Sequence, residues 1–310
     1  RAAAEADGAT LVVTAPSGGG RTRVLDACVL EARLLGAIVL RADERDGSAR
    51  WGVARALLRQ LLEQSPERAW PAAQRRAASL AHLVPELGAA EQAPAEPGGA
   101  AEQAIRARTQ IALRDVFLEV AQSELAIAVV DDTHRIDEPS AAFLARLAHE
   151  TRRKRLLLIV SAVPDDRTTA ATAMQWLIHS GEPLRLKPLS AEETQQLVRS
   201  LFGETPNVRL VADRIHGASQ GNPGAIMRIA RYMVSTGSAH YGAGTWTLPG
   251  RAELPDLSLA LHSRIDPRLG PSALELARAF AACEGLRLRW NECLPGCTPN
   301  SIRASGRLPV

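Results

Sequence analysis

The chain has 310 residues, a formal net charge of +3, 46% hydrophobic and 23% charged residues. That is the profile of a globular protein long enough for two or three domains, each with its own core. The charge is too small to imply nucleic acid by itself, and no run approaches the roughly twenty uninterrupted apolar residues of a membrane span.

The first half alternates short apolar runs with amphipathic stretches, the pattern of a mostly parallel sheet with crossover helices. "TLVVT" (10–14) predicts a buried strand. The octet "APSGGGRT" (15–22) follows, and then "TRVLDACVLEARLLG" predicts a helix with Gly36 as its stop. "AIVLRA" (37–42) reads as a strand and "WGVARALLRQLLEQ" (51–64) as a helix. "ELGAAEQAPAEPGGA" (87–101) reads as a surface loop inside the domain, because the strand pattern resumes beyond it. A helix near 102–122 leads into "LAIAVVDD" (125–132), the most apolar strand of the set. A helix from "EPSAAFLARLAHE", a strand "RLLLIVSA" (155–162), a helix near 168–179 and a short strand "PLRLKPL" complete this half. From about 190 the text turns helical: "SAEETQQLVRSLFG" opens with a capping box, Ser190 with Glu193 three residues on. "VRLVADRIHGAS" and "PGAIMRIARYMVS" follow, then a short strand "TWTL" and two amphipathic helices up to 286.

"APSGGGRT" has the length of a phosphate-binding loop, G-x-x-x-x-G-K-[ST], with its second glycine and its hydroxyl. Such loops are glycine-rich because backbone N–H groups must point at phosphate oxygens without Cβ interference, and the following helix adds its positive dipole end. Gly18, Gly19 and Gly20 can supply that backbone, Thr22 the hydroxyl and Arg21 a cation. Ala15 stands at the first glycine, where a Cβ is tolerable only at negative φ. Arg21 stands at the lysine, a swap that keeps the charge but replaces a compact ammonium by a planar, bulkier group. Arginine outnumbers lysine throughout (the lysines are Lys154 and Lys187), which points to coding bias. By itself an octet with two of its signature residues altered is more often a plain turn. The acid pair Asp131–Asp132, at the C-terminal end of its own strand, favours the phosphate reading: in a P-loop ATPase the first acid binds Mg²⁺ through water and the second polarises the attacking water.

"VVDDTHRIDEPSAAFLARLA" resembles the Walker B region of the STAND-class ATPases, a P-loop branch related to AAA proteins, which form the sensor module of large LuxR-type transcriptional regulators. That family reads DD-x-H-W-A-D-x-x-S here; Asp131, Asp132, His134, Asp137 and Ser140 match, while Arg135 and Ile136 depart. "LKPLSAEETQQLVRSLFG" resembles the family's helical lid, and "GASQGNPGAIMRIARYM" its G-x-P element as Gly221, Asn222 and Pro223. "GTWTLPGRAELPDLSLALHSRIDPRL" resembles the start of its winged-helix segment. The resemblance implies an α/β P-loop NTPase domain over 1–187, a helical lid over 188–236, a partial winged-helix domain over 237–286 and an irregular tail over 287–310. It implies ATP or ADP with Mg²⁺ as ligands: Gly18, Gly19, Gly20, Arg21 and Thr22 on the phosphates, Pro223 near the base, Asp131 and Thr22 on the metal, Asp132 positioning water.

Departures from the family pattern bear on catalysis. The strand "LLLIVSAVPDD" ends, in relatives, in an arginine that senses the γ-phosphate; by register Val163 stands there, with Arg167 four residues on. Weak or absent hydrolysis is therefore expected, at most that of a weak ATPase. The alternative is a pseudo-ATPase scaffold acting by protein–protein contact without nucleotide. His134 reads as part of the structural signature, "TRRKR" (151–155) as a solvated helix end, and Trp246 as a core anchor. Cys28, Cys283, Cys293 and Cys297 suit a reducing compartment, and with no histidine beyond His262 a zinc site lacks its other ligands. "RAAAEADGA" has no secretory leader pattern, so a cytoplasmic protein is expected, with another copy or another protein as partner. The chain starts without Met and after the family's first helix, and its tail leaves the family pattern, so a fragment is expected. DNA contact is expected only through a C-terminal helix-turn-helix that this chain lacks.

Overall fold

A computed structural model describes residues 8–88, 99–151, 154–163 and 171–250. The chain divides into two compact units, Arg1–Leu186 and Lys187–Val310.

In chain order the first unit runs β1 (Ala9–Thr14), α1 (Arg21–Leu34), β2 (Ile38–Ala42), α2 (Gly52–Gln64), α3 (Pro66–Gln74), α4 (Ala77–Leu80), α5 (Ala100–Val120), β3 (Ala126–Val130), α6 (Glu138–His149), β4 (Leu156–Ala162), α7 (Ala171–Ser180) and β5 (Glu182–Arg185). The strands form one sheet in the order β2-β3-β4-β1-β5, and every neighbouring pair is parallel. This is the fold of an α/β P-loop NTPase. Parallel strands covered on both faces lose the polar alternation of a half-exposed strand, and all five residues of β3 are buried.

Alternate strand residues feed two cores. One face sets Val13, Val39, Ile127, Val129 and Ile159 against Leu25, Val29 and Ala32 of α1. The other sets Leu40, Ala128, Val130, Leu158 and Val160 against the helices that follow, through Leu57, Leu61, Leu113, Phe117, Phe143 and Leu144. Each of the buried Val, Leu, Ile and Phe side chains contributes roughly 1.5–3 kcal/mol by leaving water. Phe117 and Phe143 meet edge to face at 5.4 Å between ring centroids.

Helices α3 and α4 follow α2 directly in the chain. α3 starts with a proline at its first turn and holds a second, Pro71, inside; it stays helical because Ala69, Ala72 and Ala73 are fully buried against the same core. The outer edge of the sheet, β2, is covered by side chains. Gln64 accepts from Val39 N–H (3.3 Å) and donates to its carbonyl (2.9 Å), and Gln60 does the same for Arg41 at 2.8 and 2.7 Å. Four α2 side-chain groups thus replace the ladder of a missing neighbour strand.

The second unit contains α8 (Ala191–Phe202), α9 (Val208–Ser219), α10 (Pro223–Ser235) and the hairpin β6 (His240–Gly242) with β7 (Thr245–Thr247). The capping box at Ser190 forms, with Glu193 N–H on Ser190 Oγ at 3.1 Å and Ser190 N–H on Glu193 Oε2 at 2.8 Å. Val198, Val211, Ile215, Ile226, Ile229 and Met233 make its core. Trp246 packs on that core, edge to face with Phe202 at 5.2 Å and with Tyr241 at 5.5 Å. The predicted helices and tail beyond residue 250 lie outside the described residues, as does Arg167. Among the described residues no helix is long and apolar enough to cross a membrane.

Candidate functional site

The site gathers at the C-terminal ends of β1 and β3, with β4 between them in the sheet. The loop from Ala15 to Gly20 joins β1 to α1. Gly18 and Gly20 have φ of 75° and 93°, the left-handed region that a Cβ disfavours. Gly20 is the N-cap of α1 and offers no side chain to its first-turn amides, so that positive helix end is left available to an anion. Gly19 is required by space: a Cβ there would sit 2.7 Å from the Ala15 Cβ and 2.9 Å from the Pro16 carbonyl oxygen. Ala15 itself is buried and is not among the residues of positive φ. Its methyl occupies room that the missing side chain of Gly19 leaves, so the altered first position is accommodated within the loop.

Asp131 and Asp132 follow β3 directly. Asp131 is 6% exposed, and both its oxygens are engaged. Thr22 Oγ1 donates to Oδ2 at 2.6 Å. Ser161 Oγ donates to Oδ1, which also accepts from Asp132 N–H at 3.0 Å. Asp132 adopts φ 47°, ψ 46°, a left-handed conformation that aspartate tolerates better than most residues. Its Oδ1 receives Arg21 Nη2 at 2.5 Å. Arg21 Nη1 donates to the Ala15 carbonyl at 2.6 Å, and Nε is buried without a partner among the described residues.

Loop and acids therefore meet in two pairs: hydroxyl with first acid, cation with second. Thr22 Oγ1 and Asp131 Oδ2 are hard oxygen donors, which suits Mg²⁺: that ion is held by one or two carboxylates, with phosphates and water completing its shell. Among the described residues no group of three or more His, Cys, Asp or Glu is placed to hold a metal by protein ligands alone.

The rest of the acid motif is architectural. Asp137 caps α6 by accepting Ser140 N–H at 3.0 Å and accepts Trp51 N–H at 2.8 Å with the same oxygen. Ser140 Oγ takes Ala54 N–H at 3.1 Å. The two residues thereby fix the start of α2, whose N-cap Trp51 has φ 63°. His134 is 2% exposed, its Nδ1 4.0 Å from Asp132 Oδ1. Arg135 pairs with Glu44 at 3.1 Å, and Ile136 is buried against Gly47.

Ser161 belongs to no local sequence motif. It sits in an apolar strand, and only the register (Val160 beside Val130, Ser161 beside Val13) sets it next to the acids. One polar residue at the fully buried end of "LLLIVS" is the signal that could have found it. Val163 follows β4 with an apolar side chain. Pro223 opens α10 in the second unit, behind the Asn222 cap on Ala225 N–H at 3.0 Å. Gly221 beside it has φ 72°, and a Cβ there would meet the Leu189 carbonyl oxygen at 2.1 Å.

Residues 1–160 match the AAA ATPase domain family, over half of the 310 residues, and the chain belongs to that family. Proteins of this kind bind nucleotide, typically with Mg²⁺. Among solved structures the chain is similar to a STAND protein (signal transduction ATPase with numerous domains) with a tetratricopeptide repeat sensor from Pyrococcus horikoshii, at 15% identity and TM-score 0.40 over 73% of this chain and 27% of that one. It is similar to Cdc6p from Pyrobaculum aerophilum at 11% identity and TM-score 0.42, over 74% of this chain and 55% of that one. It is also similar to the Orc1 protein of Aeropyrum pernix, solved in complex with DNA, at 12% identity and TM-score 0.42, over 91% and 63%. The chain thus spans between about a quarter and under two thirds of the length of these chains. No curated protein matches it.

Proposed function

We propose that the chain is the nucleotide-binding regulatory module of a LuxR-type transcriptional regulator, holding ATP or ADP with Mg²⁺ and hydrolysing ATP slowly or not at all. The observation that carries the binding part is the 2.6 Å contact of Thr22 Oγ1 with Asp131 Oδ2, which brings the loop hydroxyl and the first acid to one point. Gly18, Gly19, Gly20, Arg21 and Thr22 take the phosphates, Thr22 and Asp131 take the metal through oxygen and water, and Asp132 positions water. Mg²⁺ would supply charge neutralisation of the phosphates. Membership of the AAA ATPase family supports the nucleotide, and the acid motif together with the lid-like segments supports the LuxR assignment. As a switch it acts through different affinities of ATP and ADP for two arrangements of the protein, read by a second copy or another protein. The domain assignment follows the same reading: NTPase domain 1–187, lid 188–236, partial winged helix 237–286, tail 287–310.

Slow hydrolysis rests on Val163, which offers nothing to a γ-phosphate, and on Arg21, whose head is held by Asp132. The same two residues favour a second reading, a scaffold that works without nucleotide. Phosphate release from saturating MgATP tests the rate. Release close to that of Asp131→Ala, and raised in Arg21→Lys, is expected; wild-type turnover at or above about 1 s⁻¹, the low end of ordinary enzymes, would refute slow hydrolysis.

A further inference from the structure

We propose that Arg21 and Asp132 form a clasp that competes with phosphate, so that nucleotide enters this loop only by breaking an ion pair inside the site. The inference rests on the reading of residues 15–22 as a phosphate loop and adds how that loop is regulated.

The guanidinium spans two acceptors from the two halves of the site. Nη1 takes the carbonyl of Ala15, the first residue of the loop, at 2.6 Å. Nη2 takes Asp132 Oδ1 at 2.5 Å, across β4 from the loop. Its planar fork carries these bonds on separate nitrogens, a geometry that an ammonium, with all its donors on one nitrogen, does not reproduce. The side chain is 11% exposed and the Asp132 side chain 29%, so water screens the pair only in part. The arginine at the lysine position is then more than a poor phosphate ligand: it is the element that closes the site.

The clasp is also built to be displaced. Nε is buried with no acceptor among the described residues, so the guanidinium has hydrogen-bonding capacity that its present partners leave unmet. A phosphate group offers several anionic oxygens to one guanidinium and can satisfy two donors at once. When phosphate takes Arg21, Asp132 loses its counter-charge and becomes an unpaired carboxylate beside the phosphate site. The residue assigned to water would thus be masked until the ligand is in place. His134 Nδ1 also lies 4.0 Å from Asp132 Oδ1, and Asp131 is the neighbouring acid, its Oδ1 on Asp132 N–H.

A double-mutant cycle on the full chain separates the clasp from simple charge removal. Calorimetric titration with MgADP is made on wild type, Asp132→Asn, Arg21→Gln and the double variant, each checked by thermal melt; asparagine tolerates the left-handed φ at position 132. The clasp predicts that Asp132→Asn tightens ADP at least tenfold while Arg21 is present and threefold or less in the Arg21→Gln background. An equal gain in both backgrounds would mean that only a repelling charge had been removed, and no gain at all would mean that the pair does not compete; either overturns the clasp and leaves the phosphate loop standing. If wild type and all variants melt cooperatively and none binds ADP, the phosphate-loop reading fails and the clasp with it. Should Arg21→Gln not fold, Arg21→Lys replaces it, with a gain from Asp132→Asn again expected below that in wild type; a gain as large overturns the clasp.

Discussion

Asp137→Ala should unfold the first unit earlier without touching the nucleotide chemistry. One Asp137 oxygen serves two helices: it caps α6 through Ser140 N–H at 3.0 Å and holds Trp51 N–H at the start of α2 at 2.8 Å. Loss of the cap costs about 1 kcal/mol. Trp51 is 5% exposed, so its N–H is left without water or acceptor, at about 1–3 kcal/mol more. The sum, about 2–4 kcal/mol, lowers the melting midpoint of a unit this size by roughly 5–15 °C. Asp137→Asn keeps an acceptor oxygen and should lose less than about 1 kcal/mol. Thermal melts of the three proteins, repeated at several scan rates, give the comparison. An alanine variant that melts with wild type would refute the claim that this motif acid is architectural, and so would an asparagine variant as unstable as alanine.

Further outcomes follow from the same geometry. Gln60→Ala with Gln64→Ala uncovers the outer edge of β2 and should make the protein self-associate with rising concentration; light scattering that shows the wild-type mass throughout would contradict the edge-covering role. Gly19→Ala should destabilise by about 1–3 kcal/mol through its clash with Ala15 and Pro16, read as a lower midpoint than wild type. Burial pushes the Cys28 thiol above its ordinary range. A raised value means less thiolate at neutral pH, so peptide-resolved iodoacetamide labelling of Cys28 should be slower than that of a free thiol at pH about 7.4 and should keep rising at pH values where the free thiol has levelled off. Labelling as fast as the free thiol would contradict it.

What the sequence discloses follows from how local each cause is. The strands β1 and β3, the glycine run and the paired acids are visible because each is a contiguous signal: an apolar run, a turn chemistry, a charge placed at a strand end. The capping box at Ser190 is visible for the same reason, its two residues being neighbours on one turn. The Arg21–Asp132 pair, the Ser161 contact with Asp131 and the Gln60–Gln64 edge cover are set by strand order and register, which no local pattern carries. Helix α3 is masked by its two prolines, of which Pro71 inside the helix works against it by propensity, and burial of its alanines keeps it helical. The hairpin partner β6, an exposed three-residue strand, has too little side-chain pattern to announce itself. Ala15 shows the opposite relation: the sequence states the condition, a φ that is not positive, and the fold meets it with Gly19 as the neighbour that makes room.

The central claim, that residues 15–22 with Asp131 and Asp132 hold a nucleotide, is tested most directly by calorimetric titration of the full chain with ATP and with ADP in Mg²⁺, alongside Asp131→Ala. Saturable micromolar binding that disappears in Asp131→Ala is the predicted result. No heat with either nucleotide, from a chain that still melts cooperatively, would contradict the claim and leave a P-loop fold that works through protein contacts alone.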